Sequence, residues 1–244
     1  MKSLLLMITF FTRIPVNYTY DYDERDFIKG IKLLPIIGLM VGIFLYVPTL
    51  LENYFHRSIL IVFIWTIYLF ITGGLHIDGL ADTFDGIFSY RQKEEMLNIM
   101  KDSRIGTFGV IGILWLLLLN LSLSYYIKNI FLIIVPIVGR ASALLSASIS
   151  SYARKEGGMG TAFIENCGIK EGLLGIILSL VLGFIIGDSP MIASLLATFI
   201  TVIILTKNIS KKLGGMTGDT IGAIIEISQT LFMFFCYIAE IFIR

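Results

Sequence analysis

The amino-acid sequence predicts an all-α, polytopic integral membrane bundle of about seven transmembrane helices. It reads as a single transmembrane domain over residues 1–244, with the N-terminus in the cytoplasm. Three observations carry this. Apolar residues make up 56% of the chain and charged ones 15%, too little polar surface for a soluble domain. The apolar runs approach the length that spans a hydrocarbon core, and they are continuous rather than alternating, which selects helices over a barrel. The positive charges then recur in every second loop, as a cytoplasmic bias requires.

In chain order, residues 4–11 are apolar, but Arg13 and Pro15 cut the run short. No small-residue cleavage site follows, so this segment reads as retained, either interfacial or re-entrant. Candidate spans follow at 28–51, 59–77, 106–127, 130–150, 172–187, 190–206 and 221–243. The fifth and sixth are short and joined by Asp188-Ser189, which suggests a tight helical hairpin. Lys and Arg gather in four segments: the N-terminus, the loop after the second span, the loop after the fourth, and the loop before the last. Of the 19 such residues, only Arg57, Lys128, Arg140 and Arg244 fall elsewhere. The net charge of +1 gives no basic surface for nucleic acid. Cys167 and Cys236 are far apart and form no CxxC, which argues against a disulfide scaffold or a thiolate metal site.

The end of the second span carries Asp78, Asp82 and Asp85, spaced i, i+4, i+7. On a helix they share one face, where neighbouring carboxylates repel and desolvation at the membrane edge adds to the cost. A divalent cation relieves both penalties, and hard oxygen ligands favour Mg²⁺, Mn²⁺ or Ca²⁺. The plain alternative is a solvated helix start. His76, beside them, is a ligand, an acid/base group or simply a satisfied interfacial histidine.

Other polar segments cluster at span ends. Lys101, Asp102 and Arg104 open the third span, where the cations suit phosphate oxygens or positive-inside anchoring. Asp102 either joins a metal shell or pairs with Arg104. The glycine-rich stretch Gly214-Gly215-Met216-Thr217-Gly218-Asp219 opens the last span and suits anion binding. Glu226 follows Asp219 at i+7 inside that span, with Arg140 in the fourth span as its natural partner. An intramembrane pair of this kind is either functional or a helix-orienting ion pair. Arg13 is a lone cation in an apolar stretch that reaches lipid head groups or a substrate phosphate. The polar stretch 154–167, with Gly157, Gly158 and Gly160, reads as a cytoplasmic loop of lid type.

Several motifs occur in fixed order. They are Phe11-Thr12-Arg13-Ile14-Pro15-Val16, Gly73-Gly74-Leu75-His76-Ile77-Asp78-Gly79-Leu80-Ala81-Asp82 with Asp85-Gly86, and Met100-Lys101-Asp102-Ser103-Arg104-Ile105-Gly106-Thr107-Phe108-Gly109. Gly139-Arg140 and Gly214-Gly215-Met216-Thr217-Gly218-Asp219-Thr220 with Glu226 complete the set. Together they resemble the adenosylcobinamide-GDP ribazoletransferase family, also called cobalamin synthases, from residue 11 to about residue 229. Phe84 departs from the small residue of many members without touching the acids.

The resemblance implies an Mg²⁺-requiring enzyme of the prokaryotic cytoplasmic membrane that acts late in cobalamin biosynthesis. It joins α-ribazole, or its 5′-phosphate, to adenosylcobinamide-GDP and releases GMP. The implied roles are Asp78, Asp82 and Asp85 as metal ligands, with Asp102 and Asp219 completing the shell or orienting the nucleophile. Lys101, Arg104, Arg13 and Arg140 contact the pyrophosphate, and Asp85 takes the proton from an attacking 5′-hydroxyl. Partners are the two substrates and membrane lipid, and the oligomeric state, a homo-oligomer included, stays open. Two alternatives compete. A CDP-alcohol phosphotransferase has a similar acidic pattern, but places Ala-Arg after its Asp-Gly where this chain has Ala81-Asp82. An ion-coupled transporter would use the intramembrane charges, yet no matching interrupted halves are apparent.

Overall fold

The computed structural model describes residues 2–16, 22–187 and 189–243. Among the described residues every named element is helical. The N-terminal helix α1 (Lys2–Phe11) is followed by α2 (Glu24–Gly30) and α3 (Leu34–Tyr46), which 3-10 turns at Ile31–Leu33 and Val47–Leu51 extend into one run. Next come α4 (Arg57–Thr72), α5 (Leu75–Phe88), the short α6 (Lys93–Ile99), α7 (Thr107–Tyr126) and α8 (Phe131–Ser148). The remainder is α9 (Met159–Glu165), α10 (Ile169–Ile186), α11 (Ser189–Leu213) and α12 (Gly218–Ile243).

Six runs among the described residues are long and apolar enough to cross a bilayer, and α4 with α5 makes a seventh if that bent pair is one span. The expected spans are therefore present, with two differences. The second does not run straight to residue 77: it breaks at Gly73-Gly74 and turns by 89°. The sixth is longer than expected, so Lys207, Lys211 and Lys212 lie on the last turns of α11 rather than in a loop. Cations there complement the carbonyl end of the helix. Of the expected hairpin joint, Asp188 lies outside the described residues, as does Arg244. Helix α1 is too short to cross and packs on α2, burying Leu6, Met7 and Phe11.

Helix α8 is the central strut. Every residue from Phe131 to Ala147 except Ile133 is buried, so it has no polar face to offer water or lipid. It packs against α3, α10 and α12. Lipid supplies no hydrophobic force between helices, so close contact rests on small residues and dispersion. Gly38 and Gly42 do this for α3. A β-carbon on Gly38 would sit 2.7 Å from the Ile137 Cα, and one on Gly42 would overlap the Ile133 carbonyl. Gly175 of α10 meets the Ala141 Cα in the same way. The outer faces carry exposed Phe63, Phe70, Leu118 and Phe184, as a lipid-facing surface does. Neither cysteine forms a disulfide and both are buried, and burial pushes the Cys167 thiol up to about 12.

The packing makes a prediction. Gly42→Leu drives a side chain into the α8 backbone and should destabilise the folded protein by about 1–3 kcal/mol. Gly157→Ala, at a position with nothing within 4 Å, should leave stability unchanged. Thermal unfolding of the two variants in detergent measures the difference.

Candidate active site

The acidic motif folds as a corner followed by a helix. Gly73 and Gly74 hold φ at 63° and 71°, a left-handed conformation that other residues adopt only with strain. Gly73 also closes the carbonyl end of α4. Arg13 hydrogen-bonds the Ile71 carbonyl through its backbone N–H at 2.6 Å, and its side chain lies over Gly73, where any β-carbon would overlap it. Beyond the corner, α5 presents Asp78, Asp82 and Asp85 along one face, as their spacing requires.

Helix α12 meets this face through a second pair of glycines. A β-carbon on Gly79 would lie 2.8 Å from the Asp219 carbonyl, and one on Gly222 would lie 3.3 Å from the His76 backbone. The two helices therefore touch backbone to backbone, which brings Asp219 beside Asp78 and Asp82. Asp82 feels the charges of Asp219, Asp78 and Asp85 together. The N-terminus of α12 is capped reciprocally. The Thr217 hydroxyl accepts from the Thr220 N–H at 3.2 Å, and the Thr220 hydroxyl accepts from the Thr217 N–H at 2.7 Å. This fixes Asp219 in the first turn, where a negative charge is favoured.

Arg154 was not singled out from the sequence, where it reads as one more loop cation. The structure brings it into the site by a backbone pairing. Met216 N–H donates to the Ser151 carbonyl and Ala153 N–H to the Met216 carbonyl, both at 2.8 Å. Arg154 then extends to Asp219 and donates an Nη2 hydrogen bond to Oδ2 at 2.8 Å. No local spacing announces this contact, because its partners are 65 residues apart.

The remaining expected residues divide by role. Asp85 accepts hydrogen bonds from the N–H groups of Gly106 at 2.7 Å and Gly109 at 2.9 Å, one on each oxygen. Gly106 is the N-cap of α7 and has no side chain to cap with, so Asp85 supplies the missing acceptor from α5. Both of its oxygens are thus committed to α7. Asp102 pairs with Arg104 at 2.7 Å, and these hydrogen bonds hold its carboxyl down at about 2. Lys101 pairs with Glu156 across the site. All four of these last residues lie at the surface.

Arg140 and Glu226 lie deeper, and their expected partnership is indirect. Tyr68 donates to Glu226 Oε1 at 2.6 Å, Gln229 Nε2 donates to the Tyr68 hydroxyl at 2.9 Å, and Arg140 Nη1 reaches Gln229 Oε1 at 3.5 Å. Tyr68 and Gln229 were not flagged in the sequence, since neither is charged. Arg140 and Glu226 line neither of the cavities at the carboxylates. One cavity, of about 320 Å³, lies among α1, α5, α9 and α12 and includes His76, Asp78, Arg154 and Asp219. The other, of about 500 Å³, includes Asp78, Asp82, Lys101, Asp102 and Ser103.

Fold and site together define a multi-pass helical membrane protein with a carboxylate-rich cleft between two cavities. The chain belongs to the cobalamin-5-phosphate synthase family, which it matches over residues 3–237. An adenosylcobinamide-GDP ribazoletransferase of Alkaliphilus oremlandii is 67% identical over 240 residues, covering 98% of each chain. One of Clostridium acetobutylicum is 42% identical over 243 residues, covering 97% of this chain and 96% of its own. One of Fusobacterium nucleatum is 38% identical and covers 96% of each. No solved structure matches the chain. Membership sets aside the lipid-phosphotransferase and transporter alternatives.

The Asp85 contacts separate structure from chemistry among the three aspartates. Asp85→Ala strands two backbone donors and should lower stability by about 1–2 kcal/mol, whereas Asp82→Ala should not lower it. Thermal unfolding in detergent distinguishes the two.

Proposed function

We propose that this chain is an adenosylcobinamide-GDP ribazoletransferase of the prokaryotic cytoplasmic membrane, with its N-terminus and its site on the cytoplasmic side. The observation that carries the reading is that Asp78 lines both cavities, so two substrates bound in them meet at the carboxylates. The sidedness rests on the cations that share this end of the molecule, among them Lys101, Arg104, Arg154 and Lys155.

In this reaction a ribose hydroxyl oxygen of α-ribazole forms a bond to the phosphorus attached to cobinamide. The bridging P–O bond breaks and GMP departs with the electron pair. The expected 5′-hydroxyl cannot be the nucleophile when that position already carries a phosphate, so a secondary ribose hydroxyl serves for both substrate forms. Its proton goes to a carboxylate. Asp82 takes this role in place of Asp85, because Asp82 accepts no hydrogen bond from the described residues while both Asp85 oxygens are occupied. Arg154 and Lys101, at the edges of the two cavities, steady the phosphoryl oxygens by exchanging their present partners for the substrate.

The donor chemistry suits Mg²⁺. Asp78 offers hard oxygens to both cavities, with Asp82 beside it in one and Asp219 in the other, and among the described residues no three acidic or histidine side chains form a ready-made shell. That combination fits an ion held by one or two carboxylates and completed by substrate phosphates. When bound, the ion would neutralise charge on the phosphoryl and departing oxygens.

Purified protein given adenosylcobinamide-GDP, α-ribazole and Mg²⁺ should yield cobalamin and GMP. Asp82→Ala should lose about two orders of magnitude in kcat, and chelation of the metal should stop turnover. A folded wild type that releases no GMP would refute the reading.

A further inference from the structure

The smaller cavity differs in character from the larger one. Its walls include Phe10, Phe11, Phe163, Ile164, Ile221 and Ile225. All but Phe10 are buried. The Phe11 ring lies 5.7 Å from the His76 ring and 6.3 Å from that of Phe163, so the wall is built of aromatic faces. Among its buried residues one polar side chain interrupts it. His76 is buried, lines the cavity, and its Nε2 has no hydrogen-bond partner. A buried nitrogen of this kind is costly to leave unpaired. At the mouth stand Asp78, Arg154 and Asp219, with Gly158, Gly160 and Gly218 leaving room beside them.

We propose that this cavity receives the base of the nucleoside substrate, and that His76 Nε2 donates a hydrogen bond to the free ring nitrogen of that base. The inference rests on the transferase reading above and assigns its two substrates to separate places. A volume of about 320 Å³ suits one fused-ring base. Two bases take part in the reaction, and the walls choose between them. Guanine carries several donors and acceptors around its edge, and burying them against phenylalanine and isoleucine leaves most of them unpaired. A dimethylbenzimidazole is apolar except for one free ring nitrogen, which matches a buried wall with one unpartnered imidazole nitrogen. Its ribose then reaches the mouth, beside Asp78, Arg154 and Asp219. The second cavity, with Asp82, Lys101, Asp102 and Ser103, is left for the pyrophosphate of the other substrate.

The test uses the full chain in detergent and two nucleosides, α-ribazole and the analogue in which an indole replaces the benzimidazole, so that a C–H stands where the free nitrogen was. Calorimetry should show the wild type binding α-ribazole about tenfold more tightly than the indole analogue. His76→Leu should bind the two alike. Met159→Trp fills the half-exposed rim and should weaken α-ribazole by about tenfold, with adenosylcobinamide-GDP affinity unchanged within about twofold. Equal binding of the two nucleosides by the wild type would remove His76 from recognition. A Met159→Trp effect confined to adenosylcobinamide-GDP, or no effect on either substrate, would overturn the assignment while turnover of the wild type left the transferase reading intact. Binding with this pattern but without GMP release would uphold the cavity and defeat the transferase reading.

Discussion

Two adjacent glycines at φ 63° and 71° turn the chain through 89° between α4 and α5, and the placement of the site follows from that turn. If α4 continued straight, the face bearing Asp78, Asp82 and Asp85 would run onward along the span axis, where desolvated carboxylates are expensive. The corner carries that face away from the axis instead. It also aims α5 so that Gly79 and Gly222 bring α5 and α12 into backbone contact. The same helix then reaches Asp85 across to the start of α7. One bend thus sets the carboxylate cleft, the approach of Asp219 and the beginning of the next span.

The charges around the cleft are paired in a way that favours exchange. Arg154 holds Asp219, Lys101 holds Glu156, and Arg104 holds Asp102. The last two are exposed pairs, which contribute little to stability. Asp78 and Asp82 have no cation of their own among these pairs. A pyrophosphate accompanied by a divalent ion brings both signs at once: the ion suits the uncompensated carboxylates and the phosphate oxygens suit the released cations. An isolated anion would meet Asp78, Asp82 and Asp219 without relief. The proposed metal-bound phosphate would therefore relieve both sets of charges, as neither charge alone would.

The parts of this design that are local in the chain were legible in the sequence. Apolar run length gave the spans, and the i, i+4, i+7 spacing gave one acidic face on one helix. What escaped was long-range. Asp85 has the same spacing as its neighbours, so nothing local marks it as the cap of a helix 21 residues away. Arg154 reaches Asp219 only because residues 151–153 pair with Met216. The corner at Gly73-Gly74 was hidden because the hydropathy of the flanking residues continues across it, and hydropathy does not register φ. Tyr68 and Gln229 were hidden because charge, not hydrogen-bonding capacity, draws attention inside an apolar span.

Those two residues explain why the floor of the cleft is built differently from its roof. Tyr68, Glu226, Gln229 and Arg140 link α4, α12 and α8 by buried hydrogen bonds. Thr230 to Asn120 joins α12 to α7 at 2.6 Å, and Trp65 to Ser124 joins α4 to α7 at 2.9 Å. In hydrocarbon such bonds have no water to compete with them, and breaking one strands a polar group. The helices below His76 and Asp78 are consequently held as a unit. Above them, segments 101–106 and 153–158 meet through the exposed Lys101–Glu156 pair, and Gly157 and Gly158 have nothing packed against them. Phosphoryl transfer needs its carboxylates fixed before the substrate arrives, because catalysis rests on preorganised charge. It equally needs an opening wide enough to admit a corrinoid. A floor hydrogen-bonded inside the bilayer and a roof held by surface charge meet both requirements in one chain.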